Sequence, residues 1–145
     1  MSEELLKPVL TSGLTVSIRS PKDFDQTCKA IEEVVGKTPE KGWGFPFEKW
    51  EFYKVFESRN LIPDGFKRLR VYFLCNASVA KKLIEANNSM VGIMPCSWAV
   101  YEKDDGVYIA KLNMQFLQDL YDSPIKEAFK EVEEAESRML RRVLS

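Results

Sequence analysis

Apolar and polar side chains alternate over residues 14–19, with Leu14, Val16 and Ile18 on one side of the chain. A period of two is typical of a half-buried strand. Residues 67–75, rich in Val, Tyr, Phe and Leu, predict a second strand. Residues 91–102 and 107–112 predict two more, and the Asp105-Gly106 pair between them indicates a tight hairpin turn. The last two strands are therefore expected to be antiparallel neighbours.

Three other segments show the spacing of amphipathic helices. The first begins at Ser20-Pro21-Lys22-Asp23, where we expect Ser20 to cap the helix and Asp23 to complete a capping box. The second covers residues 77–86 behind a cap at Asn76, and the third begins at Ser123-Pro124. The expected buried positions are Phe24, Cys28, Ile31 and Val35 in the first helix, Val79 or Ala80, Leu83 and Ile84 in the second, and Ile125, Ala128, Val132, Ala135 and Met139 in the third.

Strands and helices are thus interspersed, and the hairpin requires antiparallel pairing. This order favours an α+β fold, a two-layer sandwich in which a mostly antiparallel sheet of about five strands carries helices on one face. We expect one domain over residues 1–145, with a loose N-terminus over residues 1–12. The aromatic loop at residues 42–47 is expected to cover a sheet edge. Residues 48–56 are compatible with a strand that passes into a short helical turn.

Composition excludes some function classes. The 21 Lys and Arg residues balance 22 Asp and Glu residues, whereas a nucleic-acid-binding protein usually has a basic excess or a basic stripe. The N-terminus has no signal-peptide pattern, and the uncharged run over residues 89–101 is shorter than the roughly 20 apolar residues that span a bilayer. We therefore expect a cytoplasmic protein with neither nucleic-acid nor membrane partners.

The chain contains no histidine, which excludes His-based acid–base chemistry, Ser-His and Cys-His nucleophile pairs and metal sites that contain His. Its three cysteines form no Cys-x-x-Cys pair and are too few for a closed zinc site of four thiolates. No metal is predicted, and the cofactor stays unknown. Cys28 lies on the apolar face of the first helix, where a small core residue is expected.

Residues 70–113 contain the most specific motifs. A strand ends in Cys75-Asn76, a helix that contains Ala80 follows, and the next strand carries Pro95-Cys96 before a hairpin over residues 100–110. In this pattern the chain resembles the domain-of-unknown-function 302 family. The resemblance implies a compact α+β domain related to TATA-binding-protein-like folds, and it implies no activity. The Glu-Ile-Asp segment usual in that family is represented here at best by Trp50-Glu51-Phe52.

The two cysteine motifs are the candidates for chemistry. Cys75 would lie just before a helix N-terminus, where the helix dipole stabilises a thiolate. The more ordinary interpretation is that it is the last core residue of a strand. Cys96 follows Pro95, which donates no ladder hydrogen bond and so indicates a sheet edge or a bulge. Such a bulge either re-aims a side chain beside a site or merely bends the sheet.

Together these motifs predict one pocket lined by Cys75, Asn76, Pro95 and Cys96, with an aromatic wall from Trp98 or Trp43. Three functions fit it. The first is a module that binds a small-molecule ligand, and the second is a thiol redox or sulfur-handling protein in which Cys75 reacts and Cys96 resolves. The third is an assembly domain that dimerises through a sheet edge or the last helix, and we expect a homodimer because an uncovered sheet edge tends to be protected. Acid–base catalysis is the least expected.

Overall fold

The computed structural model describes residues 2–145, with side chains from residue 4. Within that range it has six strands: β1 (Pro8–Thr11), β2 (Thr15–Ser20), β3 (Trp43–Gly44), β4 (Arg68–Asn76), β5 (Cys96–Lys103) and β6 (Gly106–Leu112). All belong to one sheet in the order β1-β2-β6-β5-β4-β3, and every neighbouring pair is antiparallel. The predicted α+β class and antiparallel sheet are confirmed.

The helices alternate with these strands. They are α1 (Ser2–Leu5), α2 (Phe24–Ile31), α3 (Phe52–Ser58), α4 (Ala77–Ala86), α5 (Met114–Leu120) and α6 (Ile125–Leu144). A π-helical turn (Glu32–Lys37) continues α2, and a 3₁₀ helix (Asn88–Ile93) follows α4. The short helix α5, which Asn113 caps by accepting from the Phe116 amide at 3.3 Å, was not predicted.

The β5–β6 hairpin sets the register of the sheet. The predicted hairpin is present, but its two turn residues are Asp104 and Asp105, and Gly106 is the first residue of β6, where it pairs with Lys103. Paired residues share a face, so Tyr72 and Trp98, which pair across β4 and β5, both point toward the main core. The alternate residues, among them Tyr101, point to the opposite face, which we call the outer face.

The two faces of the sheet are covered differently. The core face packs against α2, α4 and α6, and the predicted stripe of α6 is buried there, including Val132 and Met139. On the outer face, α3 covers part of the sheet with Phe52 and Phe56, which pack near Tyr101. The main helices therefore lie on one face, as expected, whereas α3 lies on the other.

The start of α2 differs from the prediction. Asp23, not Ser20, is the N-cap: its carboxylate accepts from the Gln26 amide at 2.8 Å, and the Gln26 side chain accepts from the Asp23 amide. Ser20 is the last residue of β2, and its hydroxyl lies 2.7 Å from the Thr27 hydroxyl in the core. The capping box is thus shifted by three residues, because Ser20 stays in the sheet.

The prediction of one strand over residues 91–102 was wrong in its first half. Asn87 caps the 3₁₀ helix by accepting from the Ser89 amide at 3.0 Å, and that helix buries Met90. Pro95 is therefore not inside a strand. Because proline donates no hydrogen bond, the ladder begins at the next residue, Cys96.

The N-terminal region contains more structure than the expected loose segment. Strand β1 pairs with β2 across a turn at Gly13, whose φ of 92° suits glycine. All four residues of β1 are exposed. A strand with no buried face shows no one-sided apolar pattern, which is the signal that predicts a strand from sequence. Met1, the first residue of the predicted loose terminus, lies outside the described residues.

Candidate functional site

Two concave regions flank the end of β4. One, which we call the cysteine pocket, has a volume of about 70 Å³ and is lined by Trp43, Leu74, Cys75, Asn76, Val79, Ala80, Leu83, Met94, Pro95, Cys96 and Val132. The other, which we call the β4-edge cavity, has a volume of about 520 Å³ and is lined by Glu32, Phe45, Phe47, Glu48, Lys49 and Tyr72.

The cysteine pocket brings together the four residues that the two motifs predicted, Cys75, Asn76, Pro95 and Cys96. Of the two tryptophans considered for its wall, Trp43 lines it. Trp98 lies instead in the core with no exposed surface. The register explains this, because Trp98 pairs with Tyr72 in the middle of the β4–β5 ladder, whereas the pocket lies at the end of that ladder.

Asn76 is fully engaged with the backbone around it. Its side-chain oxygen accepts from the Ser78 and Val79 amides at 3.0 and 3.3 Å, which caps α4 as predicted. Its side-chain nitrogen donates to the Lys41 carbonyl at 3.4 Å. Asn76 therefore joins the start of α4 to the loop before β3, a structural role that occupies both ends of its amide.

Cys75 and Cys96 lie near each other along the sheet, but on different faces. Leu74 pairs with Cys96, and both pack on the main core. Because side chains alternate along a strand, Cys75 points to the outer face, where it is half-buried. All three cysteines of the described chain are free thiols. A direct bond between Cys75 and Cys96 would require the strand to rotate one of these side chains through the sheet.

The environment of Cys96 also disfavours a thiolate. Burial raises the pKa of Cys96 to about 12, and the negative charge of Glu136 adds to this effect. Cys28 is buried as predicted, and its pKa is raised, mainly by burial. The geometry therefore offers no support for a redox pair in which Cys96 resolves.

The β4-edge cavity is formed by the aromatic loop that follows β3. The loop leaves the sheet after Gly44 and returns at Trp50, whose backbone pairs with Val71. Between these points Phe45 packs on Tyr72 with ring centroids 5.7 Å apart, and Phe47 packs on Phe73 at 4.6 Å. The loop thus covers the sheet edge, as expected, but it encloses space there.

One wall of the β4-edge cavity carries a short polar network. The Tyr72 hydroxyl donates to Glu32 at 2.5 Å, and the Lys49 ammonium donates to the same carboxylate at 2.9 Å. Burial opposes ionisation of Glu32, but the hydrogen bonds from Tyr72 and Lys49 outweigh it and lower the Glu32 pKa. Burial, followed by the bond to Glu32, raises the pKa of Tyr72. Tyr72 is therefore a neutral donor beside an ionised carboxylate.

A second ion pair lies next to this wall. The Arg70 guanidinium donates to both carboxylate oxygens of Glu51, at 2.7 and 2.9 Å. Hydrogen bonding is the main cause of both pKa shifts: the pKa of Arg70 is raised and that of Glu51 is lowered. Glu51 belongs to the Trp50-Glu51-Phe52 segment noted in the sequence, and its role there is to hold the loop against β4.

Sequence reasoning missed a buried charged pair in the core. Glu136, only 1% exposed in its side chain, lies 2.9 Å from the Lys111 ammonium, which is itself 9% exposed. Trp98 donates its indole N–H to the other carboxylate oxygen at 3.0 Å. Glu136 directly follows Ala135 of the buried α6 stripe, and this position was the one feature of the sequence that indicated a buried carboxylate.

Other sites find no support in the described part of the chain. Among its side chains, no group of three or more Cys, Asp or Glu residues is arranged to hold a metal ion. Across residues 2–145, no helix combines the length and the apolar character that are needed to cross a membrane.

Comparisons with known proteins agree with the fold. A family model described as domain of unknown function DUF302 matches residues 16–143. A crystal structure of an uncharacterized conserved DUF302 protein from Bacillus stearothermophilus superposes with a TM-score of 0.72. The two sequences are 17% identical, and the match covers 90% of this chain and 98% of the other. No curated protein matches the sequence.

Proposed function

The chain belongs to the DUF302 family, a domain of unknown function, and we propose that it is a binding module for a small organic ligand held in the β4-edge cavity. The observation that carries the proposal is the combination of size and lining in this cavity. Small-molecule sites are usually clefts of about 300–1,000 Å³, mostly apolar with a few oriented polar groups. The β4-edge cavity, at about 520 Å³, lies inside that range.

The lining divides the cavity into an apolar and a polar part. Phe45 and Phe47 supply aromatic surface, which favours a flat or apolar body. Glu32 and Lys49 supply charges of both signs, and Tyr72 lies beside them. Lys49 is paired with Glu32, and Glu48 adds a further negative charge to the lining, so the cavity suits a neutral ligand better than an anionic one.

The predicted cysteine pocket is the weaker location for such a ligand. Its volume of about 70 Å³ holds only a few heavy atoms, well below the usual range of ligand sites. Asn76 is also occupied by the α4 cap and the Lys41 carbonyl. We therefore move the proposed ligand site from the cysteines to the β4-edge cavity and keep the cysteine pocket as an alternative.

The proposal is tested on freshly purified protein by native mass spectrometry and absorbance, which detect a co-purified ligand. A thermal-shift screen with neutral aromatic and heteroaromatic metabolites follows. We expect Phe47→Ala to abolish the mass shift or the thermal shift, because Phe47 is half-exposed and lines the cavity. The control is Leu61→Ala, an apolar truncation at a residue that is 64% exposed and lies outside the cavity lining.

A ligand whose binding is unchanged in Phe47→Ala would refute this location. If the same ligand is lost when Leu83→Ala enlarges the cysteine pocket, its site is the cysteine pocket. A protein that neither carries nor binds any member of the screen would remove the proposed function itself.

A second candidate function is assembly of a homodimer through β1. This strand pairs only with β2 within the described chain, and Val9 and Leu10 are 57% and 64% exposed. An uncharged strand with a free edge is a template for pairing with another copy. Light scattering at high protein concentration should then give twice the chain mass of 16.7 kDa, and Leu10→Lys should give the monomer mass. A monomeric wild type would exclude this candidate.

A further inference from the structure

Glu32 is hydrogen-bonded through only one of its two carboxylate oxygens. The Tyr72 hydroxyl donates to Oε2 at 2.5 Å, and the Lys49 ammonium donates to the same oxygen at 2.9 Å. The Arg70 guanidinium lies farther off, 4.0 Å from Oε2 as well. Within the described chain, no side chain or amide donates to Oε1. A carboxylate has about two lone-pair positions on each oxygen, so those of Oε2 are filled and those of Oε1 are free.

The free oxygen is accessible. The Glu32 side chain keeps 38% of its surface exposed. In the part of the chain whose side chains are described, the polar atoms that are both buried and unpartnered are Glu136 Oε1 and Arg141 Nε, and Glu32 Oε1 is not among them. Glu32 lines the β4-edge cavity, as do Tyr72 and Lys49, the two donors to its Oε2. The oxygen that no protein donor reaches therefore belongs to the cavity wall.

The charge state of Glu32 makes this oxygen an acceptor. Burial opposes ionisation, but the hydrogen bonds from Tyr72 and Lys49 outweigh it and keep the pKa of Glu32 below its ordinary value. An ionised carboxylate accepts hydrogen bonds and donates none, and its bonds are roughly twice as strong as those between neutral groups. Glu48 adds a second carboxylate to the lining. The free positions on this side of the cavity therefore favour a ligand that donates.

Tyr72 connects this acceptor with the aromatic surface of the cavity. Its ring packs on Phe45 with the centroids 5.7 Å apart, and its hydroxyl reaches Glu32. Its side chain is only 2% exposed, so the core holds it in place. One tyrosine side chain thus separates the Phe45 ring from the Glu32 carboxylate. A ligand of two fused rings is long enough to contact both.

We infer that the aromatic ring of the ligand carries a hydrogen-bond donor, an amino or a hydroxyl group, that pairs with Oε1 of Glu32. Glu32 is then the residue that determines specificity, because it selects rings with such a donor over rings of the same shape without one. A site that bonds a ligand N–H or O–H rejects the analogue that lacks it, since the polar group of the site is then covered without a partner. This inference rests on the proposed function for the location of the ligand and adds its chemical class.

The first test compares probes that differ in one substituent. They are quinolines that carry an amino, a hydroxyl or a methyl group at the same carbon of the benzene ring, and each such carbon gives one matched set. The three substituents are similar in size, and the ring nitrogen, an acceptor that Lys49 could meet, is the same in every probe. In NMR titrations of the full chain, a donor probe of at least one set should bind about tenfold more tightly than its methylquinoline. A preference for the amino probes alone assigns an aromatic amine, and a preference for the hydroxyl probes alone assigns a phenol.

The second test changes the acceptor itself. In Glu32→Gln, the amide oxygen can keep the bonds from Tyr72 and Lys49, which are both donors, and the amide NH₂ then takes the place of Oε1. This variant should lose the preference for the donor probe. The control is Glu33→Gln, at a neighbouring residue that is exposed and lies outside the cavity lining, and it should keep the tenfold preference of the wild type. The methylquinoline should bind equally to both variants, which shows that the cavity is intact. If Glu32→Gln also loses the methylquinoline, the comparison in the wild type decides.

The outcomes separate the inference from the function on which it rests. If the wild type binds the donor probes and the methylquinolines equally, and this binding depends on Phe47, the inference is refuted and the ligand-binding function is kept. A donor preference that survives in Glu32→Gln would also overturn the inference, because another acceptor would then be responsible. Failure of every amino and hydroxyl probe at millimolar concentration refutes it as well, whereas the function is still judged by the co-purified ligand and the thermal-shift screen.

Discussion

The indole N–H of Trp98 donates to a buried carboxylate oxygen of Glu136 at 3.0 Å, which joins the centre of the sheet to the last helix. The other oxygen of Glu136 lies 2.9 Å from the Lys111 ammonium. Removal of one partner of a buried ion pair leaves an uncompensated charge, which typically costs about 3–5 kcal/mol. We therefore expect Glu136→Ala to lower the free energy of unfolding by about that amount in chemical denaturation.

The matched control removes both charges. Lys111→Met combined with Glu136→Leu leaves no buried charge, so the double variant should be more stable than Glu136→Ala alone. A cycle built from the single variants Lys111→Met and Glu136→Leu and from the double variant should therefore be strongly non-additive. If the single and double variants lose the same small amount of stability, the pair is solvated and this account of the core is wrong.

The Arg70–Glu51 pair should make the stability of the protein depend on pH. Hydrogen bonding to Arg70 lowers the pKa of Glu51 below its ordinary 4.5, so the stabilisation is complete above pH 4.5 and is lost as the pH falls through the lowered value. Because the Glu51 carboxylate is partly exposed and its pairing is screened by solvent, Glu51→Gln should cost only about 1 kcal/mol in urea unfolding at pH 7, and less at pH 3. The exposed Glu57 of α3 offers a control, because Glu57→Gln should change stability by less than about 0.5 kcal/mol at either pH. A cost for Glu51→Gln that is equal at both pH values would contradict this assignment.

The parts of the fold that were predicted correctly depend on local signals. The hairpin signal at residues 103–106, the Asn76 cap and the period of two in β2 each act within a few residues, and each predicted element is present. The stretch before Cys96 was misread because an apolar run without a clear period suits a strand and a short helix equally. Strand β1 had no apolar face to detect.

The site was harder to predict because it depends on contacts between distant residues. The β4-edge cavity exists because five loop residues face three strand residues, and this mismatch follows from pairing, not from composition. Glu136 belongs to a helix whose other acidic residues are mostly solvated, and its partner Lys111 comes from a strand on the far side of the core. The sequence contains no local pattern that predicts the pairing of Glu136 with Lys111.

Gly42 should tolerate no side chain. Its φ is 86°, and a Cβ there would lie 3.0 Å from the side-chain nitrogen of Asn76. A residue other than glycine in this conformation costs about 1–3 kcal/mol, and the contact would also disturb the α4 cap. Gly42→Ala should therefore lower the melting temperature clearly. The control Gly44→Ala meets no atom within 4 Å, so it should have little effect, and similar losses in both variants would contradict the role of Asn76.

The three thiols should differ sharply in reactivity. Cys28 is buried, and burial raises the pKa of Cys96 to about 12, so both thiols stay protonated at pH 8, whereas Cys75 is half-buried on the outer face. We expect one fast-reacting thiol per chain in labelling followed by mass spectrometry. Cys75→Ser should remove this fast phase, and Cys96→Ser should keep it.

Mild oxidation provides the decisive check on the same protein. Since Cys75 and Cys96 point to opposite faces of the sheet, we expect no bond between them, and the intact mass of the monomer should show no loss of two hydrogens. A Cys75–Cys96 disulfide that forms in the folded state would mean that the end of β4 rearranges. It would also restore the thiol redox hypothesis, because ligand binding at the β4-edge cavity does not require either cysteine side chain to cross the sheet.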